Sequence, residues 1–273
     1  MKIFLDGGDS SETKQAIKLL GFLDGQTTNP SLIAKKLELG KFTQEELLNL
    51  YKKIVSEISS LIPNGSISIQ VYSDKDSKSE TMLTQAKEMY AWIPNAHIKY
   101  PLTSEGLKAA AESVKLGMRV NMTLVFSQEQ AAAVYSATKG AKKGQVFLSP
   151  FIGRLDDRGE NGMSLIKNII NMYQDGDGHV EVLAASIRNM DHLLGCFKQG
   201  SDIVTLPFKT IKEWYEQGMP TPQADYIYPK TNLQDIPFQQ LDLSKSWQEF
   251  NINHELTDKG LEKFADDWNV LLK

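Results

Sequence analysis

Lys99 is the residue of this sequence that points most directly to chemistry. It lies inside an apolar segment, between Ile98 and Tyr100. Burial of an ammonium group is costly unless the group is paired or loses its proton, and burial therefore lowers a lysine pKa. A neutral amine near pH 7 can attack a carbonyl carbon and form a Schiff base. The alternative is a structural lysine, paired with a carboxylate or extended out of the strand end, and position alone leaves both open.

Further polar residues lie near the ends of other apolar segments or directly after them. Asp6 could pair with Lys99 or act as a general acid/base, although it also suits a turn before Gly7-Gly8. Asn121 lies within a predicted strand, where a buried amide needs partners. Arg154 and Arg188 follow two late segments and could bind a phosphate group. The candidate residues of this kind are Asp6, Thr28, Asn29, Gln70, Asn121, Thr123, Ser149, Arg154, Ser186 and Arg188.

Composition excludes several other classes of protein. A formal charge of −4 argues against nucleic acid or an anionic membrane surface as the main partner. The four histidines show no ligand spacing, so no metal site is expected, and Asp175-Gly176-Asp177-Gly178 is interpreted as a surface turn. The single cysteine, Cys196, is expected to be a buried structural thiol. The sequence also has no signal-like or membrane-spanning apolar run. The single cysteine and this absence together predict a cytoplasmic protein.

The elements that must position these residues alternate regularly along the chain. Short apolar runs predict eight strands, at residues 3–5, 21–23, 67–71, 96–100, 120–125, 146–149, 180–185 and 202–206. Helical periodicity lies between them, at residues 12–20, 43–60, 77–91, 104–116, 128–140, 163–174, 188–199 and 209–217. Thr43 and Glu46 form a predicted capping box, and Thr27-Thr28-Asn29-Pro30 suits a helix start with proline at its first position.

Eight strand–helix units predict an α/β fold, a single (β/α)8 TIM barrel. An open doubly wound sheet is the alternative, but the first strand lacks the glycine-rich phosphate turn typical of that fold. The barrel core is predicted at residues 1–218. Residues 219–273 are predicted to belong to the same domain, as a proline-containing extended segment (219–256) followed by a helix (257–272). Because barrel active sites lie at the carboxyl ends of the strands, the polar residues above are expected to converge there.

The chain resembles the transaldolase family, particularly its short branch, which also includes the fructose-6-phosphate aldolases. The resemblance covers nearly the whole chain. It is carried by Thr27-Thr28-Asn29-Pro30-Ser31-Leu32, Ile98-Lys99-Tyr100-Pro101-Leu102-Thr103, Asn121-Met122-Thr123-Leu124-Val125-Phe126-Ser127, Ser149-Pro150-Phe151-Ile152-Gly153-Arg154, Ala184-Ala185-Ser186-Ile187-Arg188 and Leu256-Thr257-Asp258-Lys259-Gly260-Leu261.

The resemblance implies a role for each candidate. Lys99 would form the Schiff base with a ketose phosphate, and Asp6 would be the acid/base at its C4 hydroxyl. Thr123 and Gln70 would act on a catalytic water. The substrate would be bound by Thr28, Asn29, Asn121, Ser149, Phe151, Arg154, Ser186 and Arg188, with the two arginines and Ser186 on its phosphate. A protonated imine is itself an electron sink, so no metal or organic cofactor is expected.

Two positions make the site a mixture of the two branches of the family, because each of them departs from one branch only. Transaldolases carry a glutamate where this chain has Gln70, and fructose-6-phosphate aldolases carry a tyrosine where it has Phe151. The first expectation is therefore a transaldolase of the pentose phosphate pathway, moving a dihydroxyacetone unit between sugar phosphates. The alternatives are a lyase that releases free dihydroxyacetone, a transaldolase for a sulfonated sugar, and, in a different class, a non-catalytic barrel that only binds ligands. A homo-oligomer is expected, because the short branch often forms rings.

Overall fold

Eight parallel strands close into a barrel in the computed structural model of the chain, which describes residues 1–35, 37, 39–230 and 232–273. The predicted (β/α)8 fold is confirmed. The barrel strands, in order around the barrel, are β1 (Lys2–Asp6), β2 (Gly25–Thr27), β3 (Ser66–Gln70), β4 (Ala96–Pro101), β5 (Val120–Val125), β6 (Val146–Pro150), β8 (Val180–Ala184) and β9 (Ile203–Leu206). Two short strands, β7 (Glu160–Asn161) and β10 (Gln234–Asp235), pair with each other outside the barrel.

Helices follow the barrel strands and cover the outside of the barrel. Their bounds are α1 (Ser10–Leu20), α2 (Pro30–Ala34), α3 (Gln44–Leu61), α4 (Ser79–Tyr90), α5 (Ser104–Lys115), α6 (Gln128–Ala137), α7 (Ile152–Asp156), α8 (Gly162–Tyr173), α9 (Met190–Gln199), α10 (Phe208–Glu216) and α11 (Glu255–Asn269), with a 3-10 turn at Trp247–Glu249. The predicted capping box of Thr43 and Glu46 is confirmed at the start of α3. None of the described helices is both long and apolar enough to cross a membrane.

The second strand differs from its predicted position. The apolar run at residues 21–23 is not a strand: Gly21 has a φ of 78° and ends α1 by donating its N–H to the carbonyl of Ile17. The strand begins instead at Gly25, where a Cβ would lie 2.5 Å from the Phe4 ring. Glycine is therefore needed at this position because Phe4 fills the adjoining space. The helix start predicted at Asn29 and Pro30 is confirmed as α2, whereas the short helix α7 was not predicted.

Side chains alternate along the barrel strands between the helices and the interior. In β3 and β4, Ile67, Ile69, Ile98 and Tyr100 belong to the buried apolar core. Serine, glutamine and lysine occupy the intervening positions, and the register places Lys99 opposite Gln70. Because successive strand side chains point to opposite faces, the polar set shares the interior of the barrel. The barrel interior is thus polar toward the carboxyl ends of its strands.

The segment between α10 and α11 runs over the outer helices, and Thr231 within it lies outside the described residues. Asn168 on α8 donates to the carbonyl of Ile236 at 2.8 Å. Gln128 on α6 donates to the carbonyl of Pro237 at 2.8 Å. Gln130 on the same helix donates to the carbonyl of Ile252 at 2.9 Å. These bonds fix the route by which the chain returns to the carboxyl end of the barrel, where α11 packs.

Candidate active site

Lys99 and Asp6 line the same cavity at the carboxyl end of the barrel, with a volume of about 310 Å³. Lys99 is only 3 % exposed, and its Nζ donates a 3.2 Å hydrogen bond to the backbone carbonyl of Thr28. Asp6 ends β1, and its Oδ1 accepts a 2.8 Å hydrogen bond from the hydroxyl of Thr27. The hydroxyl of Thr205 lies 2.7 Å from the hydroxyl of Thr27 and donates to it, because Thr27 already donates its proton to Asp6. The two side chains that were expected to converge at the carboxyl end of the barrel thus line one cavity.

Burial changes the acidity of both groups. It lowers the pKa of Lys99 to about 8, although the charge of Asp6 opposes the shift. Burial also raises the pKa of Asp6, against the charge of Lys99 and the hydrogen bond from Thr27. Both shifts favour the neutral forms, because an apolar environment stabilises charge poorly. A fraction of the lysine on the order of one-tenth is then a neutral nucleophile at pH 7, given its pKa of about 8.

A chain of side-chain hydrogen bonds crosses the interior next to Lys99. The hydroxyl of Ser149 donates to Oδ1 of Asn121 at 2.7 Å. Nδ2 of Asn121 donates to the hydroxyl of Ser68 at 3.0 Å. The buried amide therefore has the partners it was expected to need. Ser68 was not predicted as a site residue, although the polar–apolar alternation of β3 was the signal that could have found it.

Among the buried side-chain oxygens that have no hydrogen-bond partner within the described part of the chain, two belong to predicted site residues. They are Oε1 of Gln70 and Oγ1 of Thr123. Gln70 is directly opposite Lys99 across the β3–β4 ladder. Thr123 is opposite Pro101 across the β4–β5 ladder. Buried polar atoms rarely stay unpaired, so these positions suit a water molecule or a polar ligand.

Thr28 and Asn29 differ in their position relative to the cavity. The hydroxyl of Thr28 is 2.6 Å from the hydroxyl of Tyr51 and donates to the carbonyl of Ser68, and Thr28 is absent from the cavity wall. Its contribution there is the backbone carbonyl that contacts Lys99. Asn29 lines the cavity, and its Oδ1 caps α2 by accepting from the N–H of Leu32 at 2.9 Å. The helix start thus holds Asn29 at the wall.

Two arginines form the cationic end of the cavity. The guanidinium of Arg154 lies 5.4 Å from the ring centroid of Phe151 and 5.9 Å from that of Phe264. Burial and the neighbouring charge of Arg188 both lower the pKa of Arg154, but an arginine stays protonated. Arg188 forms a 2.8 Å ion pair with Asp157. Two cations in one cavity wall favour a doubly charged anion such as a phosphate group.

Some residues of the cavity wall were missed by sequence reasoning. Phe264 belongs to α11, whose apolar positions gave only a core-facing pattern. Lys35 lies just beyond α2 and its charge lowers the pKa of Asp6. Thr205 is in a strand that was predicted without a site residue. Nothing local in the sequence distinguishes these three, because each reaches the cavity only through the packing of distant elements.

Among the residues that the structure describes, no group of three or more His, Cys, Asp or Glu could hold a metal ion. Cys196 is buried, and burial raises the pKa of its thiol. The expected absence of a cofactor stays a prediction.

Comparison with known proteins gives one consistent result. The family described as Transaldolase/Fructose-6-phosphate aldolase matches residues 3–273. A protein of Chlorobaculum parvum named "Probable transaldolase" is 38% identical over 272 residues, covering 99% of both chains. Another of that name, from Dehalococcoides mccartyi, is 34% identical over 273 residues, covering 100% of both. A putative dehydratase from Mesorhizobium loti shares the fold alone, at TM-score 0.52 and 10% identity, over 76% of this chain and 55% of that one.

Proposed function

Because the chain belongs to the transaldolase and fructose-6-phosphate aldolase family and is an enzyme of that family, we propose that it transfers a dihydroxyacetone unit between sugar phosphates. The donor is a ketose phosphate, either sedoheptulose 7-phosphate or fructose 6-phosphate, and the acceptor is an aldose phosphate. This is a reaction of the pentose phosphate pathway, and we place it in the cytoplasm. The observation that carries the proposal is that Lys99 and Asp6 line one cavity whose wall also carries Arg154 and Arg188.

The pair can perform the bond cleavage without a metal or an organic cofactor. The neutral amine of Lys99 attacks C2 of the ketose, and loss of water gives a protonated imine. Asp6 then takes the proton of the C4 hydroxyl, and the C3–C4 bond breaks. Its electron pair moves into the imine and leaves an enamine on Lys99, while the C4 end departs as an aldehyde. With an acceptor aldehyde the same steps run in reverse: the enamine forms a bond to the aldehyde carbon, and Asp6 returns the proton to the new hydroxyl. Hydrolysis of the imine then frees the new ketose.

The remaining residues hold the substrate for this reaction. Asn29 and Ser149 line the cavity, Asn121 is hydrogen-bonded to Ser149, and we assign these three to the hydroxyls of the dihydroxyacetone unit. Gln70 and Thr123 have the unpaired buried oxygens that a catalytic water requires. Arg154, Ser186 and Arg188 bind the phosphate group, with Phe151 packed against the first arginine. Thr28 acts through its backbone carbonyl rather than its hydroxyl.

Borohydride trapping tests this function. Reduction of the enzyme in the presence of fructose 6-phosphate should add the mass of one ketose or dihydroxyacetone unit to Lys99, located by peptide mass spectrometry. Lys99→Met is the matched control and should show no adduct. If no ketose phosphate gives an adduct on Lys99, the protein is a binding barrel and the proposal fails. A panel that includes sulfonated ketoses identifies the donor, because two arginines suit either anion.

The balance between transfer and release depends on Gln70 and Phe151. A glutamine can orient a water molecule but cannot take its proton, and Phe151 has no hydroxyl to help. Hydrolysis of the imine is therefore slow, and the bound three-carbon unit waits for an acceptor, which favours transferase over lyase activity. Gln70→Glu and Phe151→Tyr should each raise the release of free dihydroxyacetone relative to transfer. An unchanged ratio in both variants contradicts this explanation.

We also propose that the enzyme is a homo-oligomer, which light scattering can test.

A further inference from the structure

The loop of residues 185–188, which follows β8, is held in an unusual conformation. Ser186 has a φ of 60°, in the left-handed region that residues with a side chain rarely adopt. The carbonyl of Ser186 accepts the N–H of Gly153 at 3.1 Å. A Cβ on Gly153 would lie 2.2 Å from that carbonyl oxygen and 2.6 Å from Nε of Arg188. Such a conformation needs support from the surrounding structure.

Part of that support comes from His192 on α9. The backbone N–H of Arg188 donates to Nδ1 of His192 at 3.2 Å. On the other side of the ring, Nε2 of His192 is 2.9 Å from Oδ2 of Asp156. Because Nδ1 accepts a hydrogen bond, the ring proton is on Nε2 and is donated to Asp156. His192 is only 2 % exposed, so water does not replace either bond.

Asp156 is in turn fixed by two further donors. Its Oδ1 accepts the N–H of Gly162 at 2.8 Å. Its Oδ2 accepts the hydroxyl of Tyr228 at 2.9 Å. Burial alone would raise the pKa of Asp156, but the hydrogen bonds from His192, Gly162 and Tyr228 lower it. Tyr228 comes from the segment between α10 and α11 and packs on α9, where a Cβ on Gly195 would be 3.1 Å from its ring.

We propose that Tyr228, Asp156 and His192 form a positioning relay that fixes the backbone of Arg188 for binding the phosphate group of the substrate. The inference rests on the proposed function, because that function assigns the phosphate to this loop. The three residues are not in the wall of the cavity that holds Lys99. They act through the loop, and the outer segment of the chain thereby becomes part of the substrate-binding apparatus.

Two substitutions of His192 separate the two bonds of its ring. In His192→Asn, Oδ1 takes the place of Nδ1 and can still accept from Arg188. In His192→Gln, Nε2 takes the place of the ring Nε2 and can still donate to Asp156, but the bond to Arg188 is lost. We expect His192→Gln to raise KM for fructose 6-phosphate roughly five- to tenfold, as for loss of one buried hydrogen bond. kcat should change little, and His192→Asn, which keeps the bond to Arg188 and loses the bond to Asp156, should raise KM by a smaller factor of about two- to fivefold.

Tyr228→Phe tests the other end of the relay. It removes one of the three donors to Asp156, and we expect KM to rise about two- to fivefold. Tyr226→Phe is the matched control: Tyr226 lies on the same segment, but its hydroxyl donates to the backbone carbonyl of Asp191 at 3.3 Å. It should leave KM unchanged. Equal effects of the two tyrosine substitutions indicate a general packing role and overturn the relay.

Two further readouts separate this inference from the proposed function. Trapping of dihydroxyacetone on Lys99 needs no phosphate contact, so its rate should be the same in His192→Gln as in the parent. Binding of inorganic phosphate, measured by calorimetry, needs no Schiff base and should weaken by the same factor as KM rises. No adduct in the parent enzyme refutes the proposed function alone. Unaltered phosphate binding in His192→Gln refutes the relay alone.

Discussion

Removal of the carboxylate next to Lys99 should separate formation of the Schiff base from turnover. Asp6 raises the pKa of Lys99, and burial lowers it, with about 8 as the result. In Asp6→Asn only the lowering effect remains, so the pKa of Lys99 should fall further, by ~1 unit or more for loss of an adjacent opposite charge. The lysine of the variant should then be a better nucleophile at neutral pH, although the variant lacks the acid/base proposed above.

The size of the effect follows from the neutral fraction of the amine. An exposed lysine with a pKa of 10.5 is about 0.03 % neutral at pH 7, and at a pKa of about 8 the fraction is about 9 %. Burial therefore gains about 300-fold in nucleophile concentration at that pH. A further fall to about 7 in Asp6→Asn makes about half of the lysine neutral, roughly a fivefold gain. Turnover should drop ~100-fold or more, the usual cost of losing a general acid/base.

The assay is the initial rate of cyanoborohydride trapping with dihydroxyacetone, followed by mass spectrometry across about pH 6 to pH 9. Trapping by the parent enzyme should rise with pH and reach half its maximum near pH 8, because the neutral amine is the reactive form. Asp6→Asn should reach half-maximum at least ~1 unit lower. Asp76→Asn is the control: it removes the same charge from an exposed position in the loop after β3. A half-maximum that stays in place or moves to higher pH in Asp6→Asn refutes the electrostatic account.

Three other substitutions test the packing of the site. Lys99→Met should lower the free energy of unfolding by about 1–3 kcal/mol, because it removes the opposite charge of Lys99 from the partly buried Asp6. Lys99→Met combined with Asp6→Asn should recover or exceed the parent value. Urea denaturation measures both variants, and additive losses contradict the coupling. Phe264→Ala removes one of the two rings beside Arg154 and should raise KM for fructose 6-phosphate roughly threefold or more, with Phe264→Tyr close to the parent. In Gly153→Ala the new Cβ forces the carbonyl of Ser186 to move. The binding of inorganic phosphate should weaken ~10-fold while the circular dichroism spectrum stays unchanged. Full affinity for phosphate would show that the loop can shift without loss of binding.

Much of the fold, and the positions of Lys99 and Asp6 in one cavity, could be predicted from the sequence. Lys99 illustrates the physical reason. A parallel barrel buries both faces of its strands, so a polar residue inside an apolar run must face the interior or another partner. Lys99 and Asn121 are such residues, and both are where the pattern predicted. Position alone did not predict that Lys99 is reactive, because a structural ion pair gives the same pattern. The resemblance to a known family supplied that hypothesis.

The errors have equally specific causes. Residues 21–23 form a short apolar run of the kind that predicts a strand. Gly21 instead ends α1 in a left-handed conformation, and the local pattern alone does not distinguish the end of a helix from the start of a strand. The direction of the Thr28 hydroxyl depends on Tyr51, which lies on α3, far from it in the sequence. Phe264 reaches the cavity and Tyr228 reaches Asp156 through contacts between parts of the chain that are far apart in sequence. Period and composition describe neighbours along the chain, so they do not report such contacts.

The docking of α11 across the barrel has a consequence for how the protein is made. Thr257 donates to the carbonyl of Leu124 at 2.9 Å, and a Cβ on Gly260 would be 2.6 Å from the side chain of Leu124. Synthesis runs from Asp6 toward Phe264, so a ribosome-bound chain can assemble every strand and still have an open, unfinished anion pocket. A product cut short before α11 would lack Phe264, one of the two rings beside Arg154, and its cavity would be open on that side. The last helix to be synthesised therefore completes the wall of a cavity that the barrel strands begin.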